Sequence, residues 1–212
     1  MRPCKICHQK DFGEWYDDCI GEDKPLVNHV VVLDPGHGGA YSGAINYGFR
    51  ESDINLAVAR KLRKKLKQAG ATVTMTRTRD VNLAPPGANL DADLQARVDV
   101  AKRAKADIFV SLHVDDIPNI NLTGPASYFP KGRSYSLACA IQTHLTEEIC
   151  AEGHGVSPAD FYVLVHNEMP AALIEMGYLS NPAEALCLVD SAYQNLLAEG
   201  IFKGIVSYFL YE

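Results

Sequence analysis

Two histidines and two glutamates in this sequence are of the types that bind a metal ion and transfer a proton. They are His37, Glu51, His113 and Glu175. Two imidazoles and one carboxylate form a three-ligand zinc shell that leaves the fourth position open for water. Zinc makes that water more acidic and polarises a carbonyl group, and a second carboxylate can pass the water's proton to a leaving amine. The residue types predict metal-assisted hydrolysis, but their spacing does not say which glutamate is the ligand and which is the base.

Each histidine lies at the end of a segment that is typical of a buried strand. Residues 30–33 form a β-branched run without alternation, which Asp34-Pro35-Gly36 stops just before His37. Residues 107–116 repeat this arrangement, with His113 near the end of the run. The carboxyl ends of parallel strands share one edge of a sheet, where open α/β folds bind their ligands. We therefore expect both imidazoles to face the same crevice.

The two glutamates lie at the boundaries of two further predicted elements. Glu51 immediately precedes a helix that Ser52 is predicted to cap and that ends at Ala69-Gly70. Glu175 ends the apolar run of residues 171–177, where a carboxylate is costly unless it has a partner or a task. The alternative roles are support of the helix dipole for Glu51 and an ion pair or a cap for Glu175.

Strands and helices alternate along most of the chain, which predicts the α/β class. We expect a single domain with a mostly parallel twisted sheet flanked by helices, preceded by a short irregular segment that contains cysteines. The remaining predicted elements are strands at residues 72–76, 126–129 (an edge) and 161–165, helices at 94–104, 134–151 and 193–208, loops at 77–93 and 153–160, and a turn at 181–182.

Composition limits the classes of protein to which the chain can belong. Its 212 residues are 47% hydrophobic, which suits one globular domain with its own core. The net charge of −6 argues against nucleic acid and anionic membrane surfaces as partners. We find no apolar run long enough to span a bilayer, and the first residues are too polar for a secretory signal.

The six cysteines fall into two groups of three. Cys4, Cys7 and Cys19 lie in the segment of residues 1–28, which has no sustained periodicity. They permit a second, structural zinc site with His8 or His29, a disulfide, or an irregular arm with reduced thiols. The string Cys4-Lys-Ile-Cys7-His8 also matches a haem attachment pattern, with no other haem feature. The second group is predicted to be buried free thiols: Cys139, Cys150 and Cys187.

Four short motifs, in this order along the chain, resemble those of the zinc-dependent N-acetylmuramoyl-L-alanine amidases of the amidase_3 family. They are Asp34-Pro-Gly-His37-Gly-Gly, Arg50-Glu51, Ser111-Leu-His113 and Ile174-Glu175-Met-Gly-Tyr-Leu-Ser-Asn181. The resemblance implies a catalytic domain over residues 29–212, with His37, Glu51 and His113 binding zinc and Glu175 as the catalytic carboxylate. It also implies the substrate, which is the amide between N-acetylmuramic acid and L-alanine of the peptidoglycan stem peptide.

Further features bear on the subtype within this family. The segment between His113 and the next helix is short, which implies an open site, and residues 81–93 and 124–130 are more similar to the spore-cortex and germination amidases. Asp115 stands where the family usually has asparagine. The expected partner is peptidoglycan and the expected location is the cell wall or the outside of the cell, with a phage lysin as the alternative. A zinc carboxypeptidase and a non-catalytic wall-binding module are the alternative functions.

Overall fold

A six-stranded sheet lies at the centre of the structure, a computed structural model that describes residues 24–211. The strands are β1 (Val30–Pro35), β2 (Ile45–Asn46), β3 (Phe49–Arg50), β4 (Thr72–Met75), β5 (Ile108–Asp115), β6 (Ala126–Phe129), β7 (Gly155–Pro158) and β8 (Ala171–Tyr178). The helices are α1 (Glu51–Gln68), α2 (Leu90–Ala104), α3 (Tyr135–Glu148), α4 (Tyr162–Val165), α5 (Pro182–Val189) and α6 (Ser191–Tyr211). The predicted α/β class is confirmed.

The strand order of the sheet is β4-β1-β5-β8-β6-β7, and β2 and β3 form a separate hairpin. Strands β4, β1, β5 and β8 are parallel, whereas β6 is antiparallel to β8 and parallel to β7. The carboxyl ends of β1, β5 and β8 therefore meet at one edge, as the sequence predicted for the two histidines. The prediction of 126–129 as an edge strand is wrong, because β7 pairs with its outer side.

Helices cover both faces of the sheet and explain why its central strands are apolar on both sides. The larger core lies between the sheet and α1, α3 and α6, and its fully buried residues include Leu62, Ile141 and Ile201. A smaller core on the other face packs α2 and α4 against the sheet around Phe109 and Leu164. This two-sided burial is what the non-alternating runs predicted.

Two helices begin earlier than the sequence predicted. Helix α1 begins at Glu51, because its backbone N–H already donates to Ala44 O at 2.9 Å, so Ser52 lies inside the helix and the predicted cap is wrong. Helix α2 begins at Leu90 instead of residue 94, because the Asn89 side chain accepts a hydrogen bond from Ala92 N at 3.0 Å. Both differences come from contacts made at the first turn.

The prediction of a strand at residues 161–165 is also wrong, because α4 is a short helix there. Its β-branched residues favour a strand, but the Asn167 amide donates to Val163 O at 2.7 Å and the Arg133 guanidinium to Leu164 O at 3.0 Å. These bonds satisfy the carbonyls at the end of a helical turn. Two elements were missed: β7 in the predicted loop 153–160, and α5, which Asn181 caps at the predicted turn.

The cysteines at the far end of the chain are free, but they are not all buried. Cys139 is partly buried, while Cys150 and Cys187 are exposed. Cys187 lies on the outer side of α5, because its neighbours Ala185 and Leu188 occupy the inner side. The three possibilities for Cys4, Cys7 and Cys19 lie outside the described residues.

The boundary of the catalytic domain at residue 28 stays a prediction. Leu26, on the arm side of that boundary, is fully buried in the larger core and its N–H donates to Ala69 O at 2.9 Å. His29 stacks on Phe209 with ring centroids 3.9 Å apart. Across residues 24–211, we find no helix that combines the length and the apolar character needed to cross a bilayer.

Candidate active site

His37, Glu51 and His113 converge at the carboxyl edge of the sheet, as the sequence predicted. His37 Nε2 lies 3.2 Å from Glu51 Oε1, and His113 Nδ1 lies 2.9 Å from the same oxygen. The two imidazole rings meet edge to face at 4.9 Å between centroids. One ligand atom from each of the three residues lies within 4.8 Å of the others. The three side chains thus form a compact cluster of metal-ligand type.

The turn after β1 brings the two imidazoles together because it is free of side chains at Gly36. A Cβ atom built on Gly36 would lie 2.2 Å from Cε1 and Nε2 of His113, so the backbone approaches that ring too closely for any other residue. His37 itself has a φ of 63°, a left-handed conformation that is uncommon outside glycine. The glycine next to His37 therefore makes room for the second histidine.

Glu51 is fixed as an ionised carboxylate by the groups around it. Its Oε1 accepts hydrogen bonds from Asn55 Nδ2 and Val114 N, both at 3.2 Å, and its Oε2 accepts one from Ala44 N at 2.9 Å. Burial alone would raise the pKa of Glu51, but the contacts with His113 and His37 outweigh it and lower that pKa far below its ordinary value. A buried carboxylate that stays charged is suited to a cation.

Glu175 lies beside this cluster in the opposite state. Strands β5 and β8 pair His113 directly with Glu175, so the two side chains are neighbours on the same face of the sheet. Its Oε2 is buried and lacks a hydrogen-bond partner among the described residues. Burial, followed by the charges of Glu51 and Asp115, raises the pKa of Glu175 well above its ordinary value. Such a carboxyl group holds a proton readily, which suits an acid–base role.

Sequence reasoning missed two buried arginines that support the turn of His37. Arg97 donates to Asp34 Oδ1 at 2.8 Å and to His37 O at 3.0 Å. Arg77 donates to Pro35 O at 2.8 Å and to Gly36 O at 2.9 Å. For Arg97 there was a signal, since it lies on the apolar face of α2 with Asp93 four residues earlier; the loop position of Arg77 offered none.

Asp34 completes this support and is charged, although it is buried. Burial raises its pKa, but Arg97, Thr76, His113 and Ser111 together lower it below the ordinary value. The Thr76 hydroxyl donates to it at 2.6 Å and the Ser111 hydroxyl at 2.8 Å. The end of β1 is therefore held by a satisfied buried ion pair, a kind of contact that is costly to break.

A cleft of about 290 Å³ opens over the candidate site. His37, His113 and Glu175 lie on one side of it. Its other side is mostly apolar and comes from α2, α4 and the segments next to them: Tyr41, Leu90, Leu94, Phe161, Tyr162 and Val163. Asp115, which follows in β5, has a raised pKa because it is partly buried and close to Glu51 and Asp116.

Comparison with known proteins agrees with this architecture and identifies the family. The family model described as N-acetylmuramoyl-L-alanine amidase, Amidase_3, matches residues 31–207. The fold and the site define a hydrolase that cleaves an amide bond. The chain belongs to the Amidase_3 family of N-acetylmuramoyl-L-alanine amidases.

Three relatives illustrate the range of the family. The chain is 35% identical over 198 residues to the germination-specific N-acetylmuramoyl-L-alanine amidase of Bacillus subtilis, covering 87% of this chain and 81% of the relative. It is 32% identical to LytC of the same organism, covering 87% of this chain but 36% of LytC. The structure of the CwlD amidase of Clostridioides difficile, in complex with the GerS lipoprotein, matches with a TM-score of 0.84 and 32% identity, covering 87% of this chain and all (100%) of that chain.

Proposed function

We propose that this chain hydrolyses the amide between the lactyl group of N-acetylmuramic acid and L-alanine in peptidoglycan. In this proposal His37, Glu51 and His113 bind a catalytic zinc ion, and Glu175 is the catalytic acid–base. The observation that carries it is the cluster of three ligand-type atoms within 4.8 Å, with the buried carboxyl of Glu175 beside it. The family match supports the reaction and the substrate.

The donor set fits zinc in three respects. Two imidazoles and one carboxylate are a common ligand set for catalytic zinc, and three protein ligands leave a position for water. The charged state of Glu51 provides a negative ligand without protonation. Its outer oxygen is held by Ala44 N at 2.9 Å, which is the kind of outer contact that orients a metal ligand. A zinc ion in this position supplies a more acidic water and a polarised carbonyl group.

The proposed task of Glu175 is to move one proton between the two reactants. Its carboxylate accepts a proton from the attacking water as the oxygen adds to the lactyl carbonyl carbon. The same carboxyl group then donates that proton to the nitrogen of L-alanine as the carbon–nitrogen bond breaks. The buried Oε2 without a protein partner is available for both transfers.

The setting of the reaction is proposed from the relatives. The similarity to a germination-specific amidase and to CwlD supports a role in the bacterial cell wall, of the spore-cortex or germination type. Peptidoglycan is the proposed partner, and the net charge of −6 is consistent with the prediction that nucleic acid is not.

Digestion of purified peptidoglycan, followed by mass analysis of both fractions, tests the proposed function. We expect intact stem peptides with a free L-alanine amine and glycan strands without peptides. A chelator should stop the release and added zinc should restore it. Release of single amino acids would instead identify a carboxypeptidase, and binding without any release would identify a wall-binding module.

Substitution of Gly43 tests the geometry of the proposed ligands. Gly43 has a φ of 69°, and a Cβ atom there would lie 2.3 Å from Glu51 Oε2 and 2.6 Å from His37 Cδ2. Because Gly43→Ala must displace both side chains, we expect zinc affinity to fall about 10- to 100-fold, as for the loss of an outer contact. Competition with a chelating dye measures it.

Gly132→Ala is the matched control for that experiment. Gly132 has a φ of 86°, but a Cβ atom there would meet nothing within 4 Å. Both variants introduce the same backbone strain, so only the first should weaken zinc binding. Equal zinc affinity in the two variants would contradict the proposed position of the metal.

A further inference from the structure

A strained tyrosine lies at the tip of the hairpin that precedes Glu51. Strands β2 and β3 are joined by the two-residue turn Tyr47-Gly48, whose φ angles are 50° and 80°. Positive φ at both positions is the signature of a type I′ turn, which favours asparagine followed by glycine. A bulky aromatic residue is disfavoured in this conformation. Strained residues of this kind cluster where a ligand is bound, so we searched for what Tyr47 contacts.

The ring of Tyr47 is held in place and is still half exposed. Its hydroxyl donates to Ser180 O at 3.1 Å, and the neighbouring Asn46 amide donates to Asp116 Oδ1 at 3.3 Å. The side chain of Tyr47 is nevertheless 52% exposed. An aromatic ring that is already fixed loses little conformational freedom when it binds a ligand.

Two further apolar side chains extend this surface. Ile45 is 60% exposed and Ile120 is 54% exposed, and the Asn181 amide, next to Ser180, donates to Ile120 O at 2.8 Å. We define the hairpin patch as the surface formed by five residues: Ile45, Asn46, Tyr47, Asp116 and Ile120. It combines apolar and aromatic side chains with an amide and a carboxylate, and it contains no cationic residue.

The hairpin patch is continuous with the candidate active site. Strand β3 leads directly into Glu51, the loop with Asp116 and Ile120 follows the strand of His113, and Ser180 follows the strand of Glu175. A polymer whose scissile bond lies at these three residues must pass over neighbouring surface. The patch is part of that surface.

The chemistry of the patch selects one part of the polymer. A stem peptide carries carboxylates, for which the patch offers no cation and one negative charge, on Asp116. A sugar ring is uncharged, packs its C–H face on an aromatic ring, and presents hydroxyl groups to an amide and a carboxylate. We propose that the hairpin patch is a subsite for the glycan strand, in which the ring of Tyr47 contacts a sugar that flanks the cleaved residue. This inference rests on the proposed function.

Kinetics on two substrates test the subsite. Long peptidoglycan strands contain flanking sugars, whereas a soluble muramoyl peptide with one sugar does not. For Tyr47→Ala we expect a three- to tenfold higher half-saturation on the strands, about the effect of one aromatic contact, and unchanged kcat/KM on the soluble substrate. Tyr47→Phe keeps the ring and should behave as the wild type.

Two variants separate this effect from folding. Tyr47→Asn also removes the ring but suits a positive φ, so it should weaken strand binding without lowering the melting temperature. Tyr211→Ala removes a tyrosine that is 75% exposed at the end of α6 and should change neither substrate. Wild-type half-saturation on strands in Tyr47→Ala and Tyr47→Asn would overturn the subsite, as would an equal loss on both substrates.

A binding experiment identifies the occupant. The inactive variant Glu175→Gln should sediment with insoluble peptidoglycan, and glycan strands freed of peptides should displace it, whereas the double variant with Tyr47→Ala should bind more weakly. Failure of the glycan strands to compete would overturn the inference and point to a peptide or a protein at the patch. Absence of wild-type cleavage on both substrates would refute the proposed function itself, and the subsite with it.

Discussion

Glu175→Gln is expected to lower kcat by about 10²- to 10⁴-fold while the protein keeps its zinc, because an amide cannot accept and return the proton of the attacking water. Glutamine has nearly the same volume, and the carboxyl it replaces is buried with its Oε2 unpartnered, so the fold should not change. Turnover of a soluble muramoyl peptide and zinc content after dialysis are the two measurements.

Glu168→Gln is the control for this variant. Glu168 is an exposed carboxylate a few residues before β8, so its loss should leave turnover and zinc content unchanged. Full activity in Glu175→Gln would remove Glu175 from the mechanism. Loss of zinc in Glu175→Gln would show that it is a ligand, which would exchange the roles proposed for the two glutamates.

Glu51→Gln is expected to lower zinc affinity by more than about 100-fold, since the loss of an outer contact alone costs 10- to 100-fold. Activity should fall to the level of the protein treated with a chelator. The reason is that Glu51 is the carboxylate that both histidines approach, at 3.2 Å and 2.9 Å, and the one whose pKa is lowered despite its burial, first of all by the bonds to His113 and His37.

Asp53→Asn is the matched control, because Asp53 is an exposed carboxylate in the same first turn of α1. It should keep both zinc and activity. Circular dichroism of Glu51→Gln must show a folded protein, since Glu51 also accepts bonds from Ala44 N and Val114 N. Wild-type zinc affinity in a folded Glu51→Gln would exclude it as a ligand.

The comparison of sequence and structure shows which kinds of feature can be predicted. The strands of His37, His113 and Glu175 were predictable because strands that are buried on both faces need continuous apolar runs, and these runs are visible without a structure. Residues 161–165 show the reverse case. Their composition favours a strand, but bonds from distant residues such as Arg133 make them a helix.

The sequence by itself determined the α/β class, the four candidate site residues and their positions at the ends of predicted elements, because these depend on local composition and on the motifs. Only the tertiary structure decided that Glu51 lies between the two imidazoles and Glu175 beside them, that Gly36 makes room for the ring of His113, and that Arg77 and Arg97 support the turn. The physical reason is that these contacts join residues far apart in the chain. Their distances and their effects on pKa depend on how strands and helices pack, which no local pattern records.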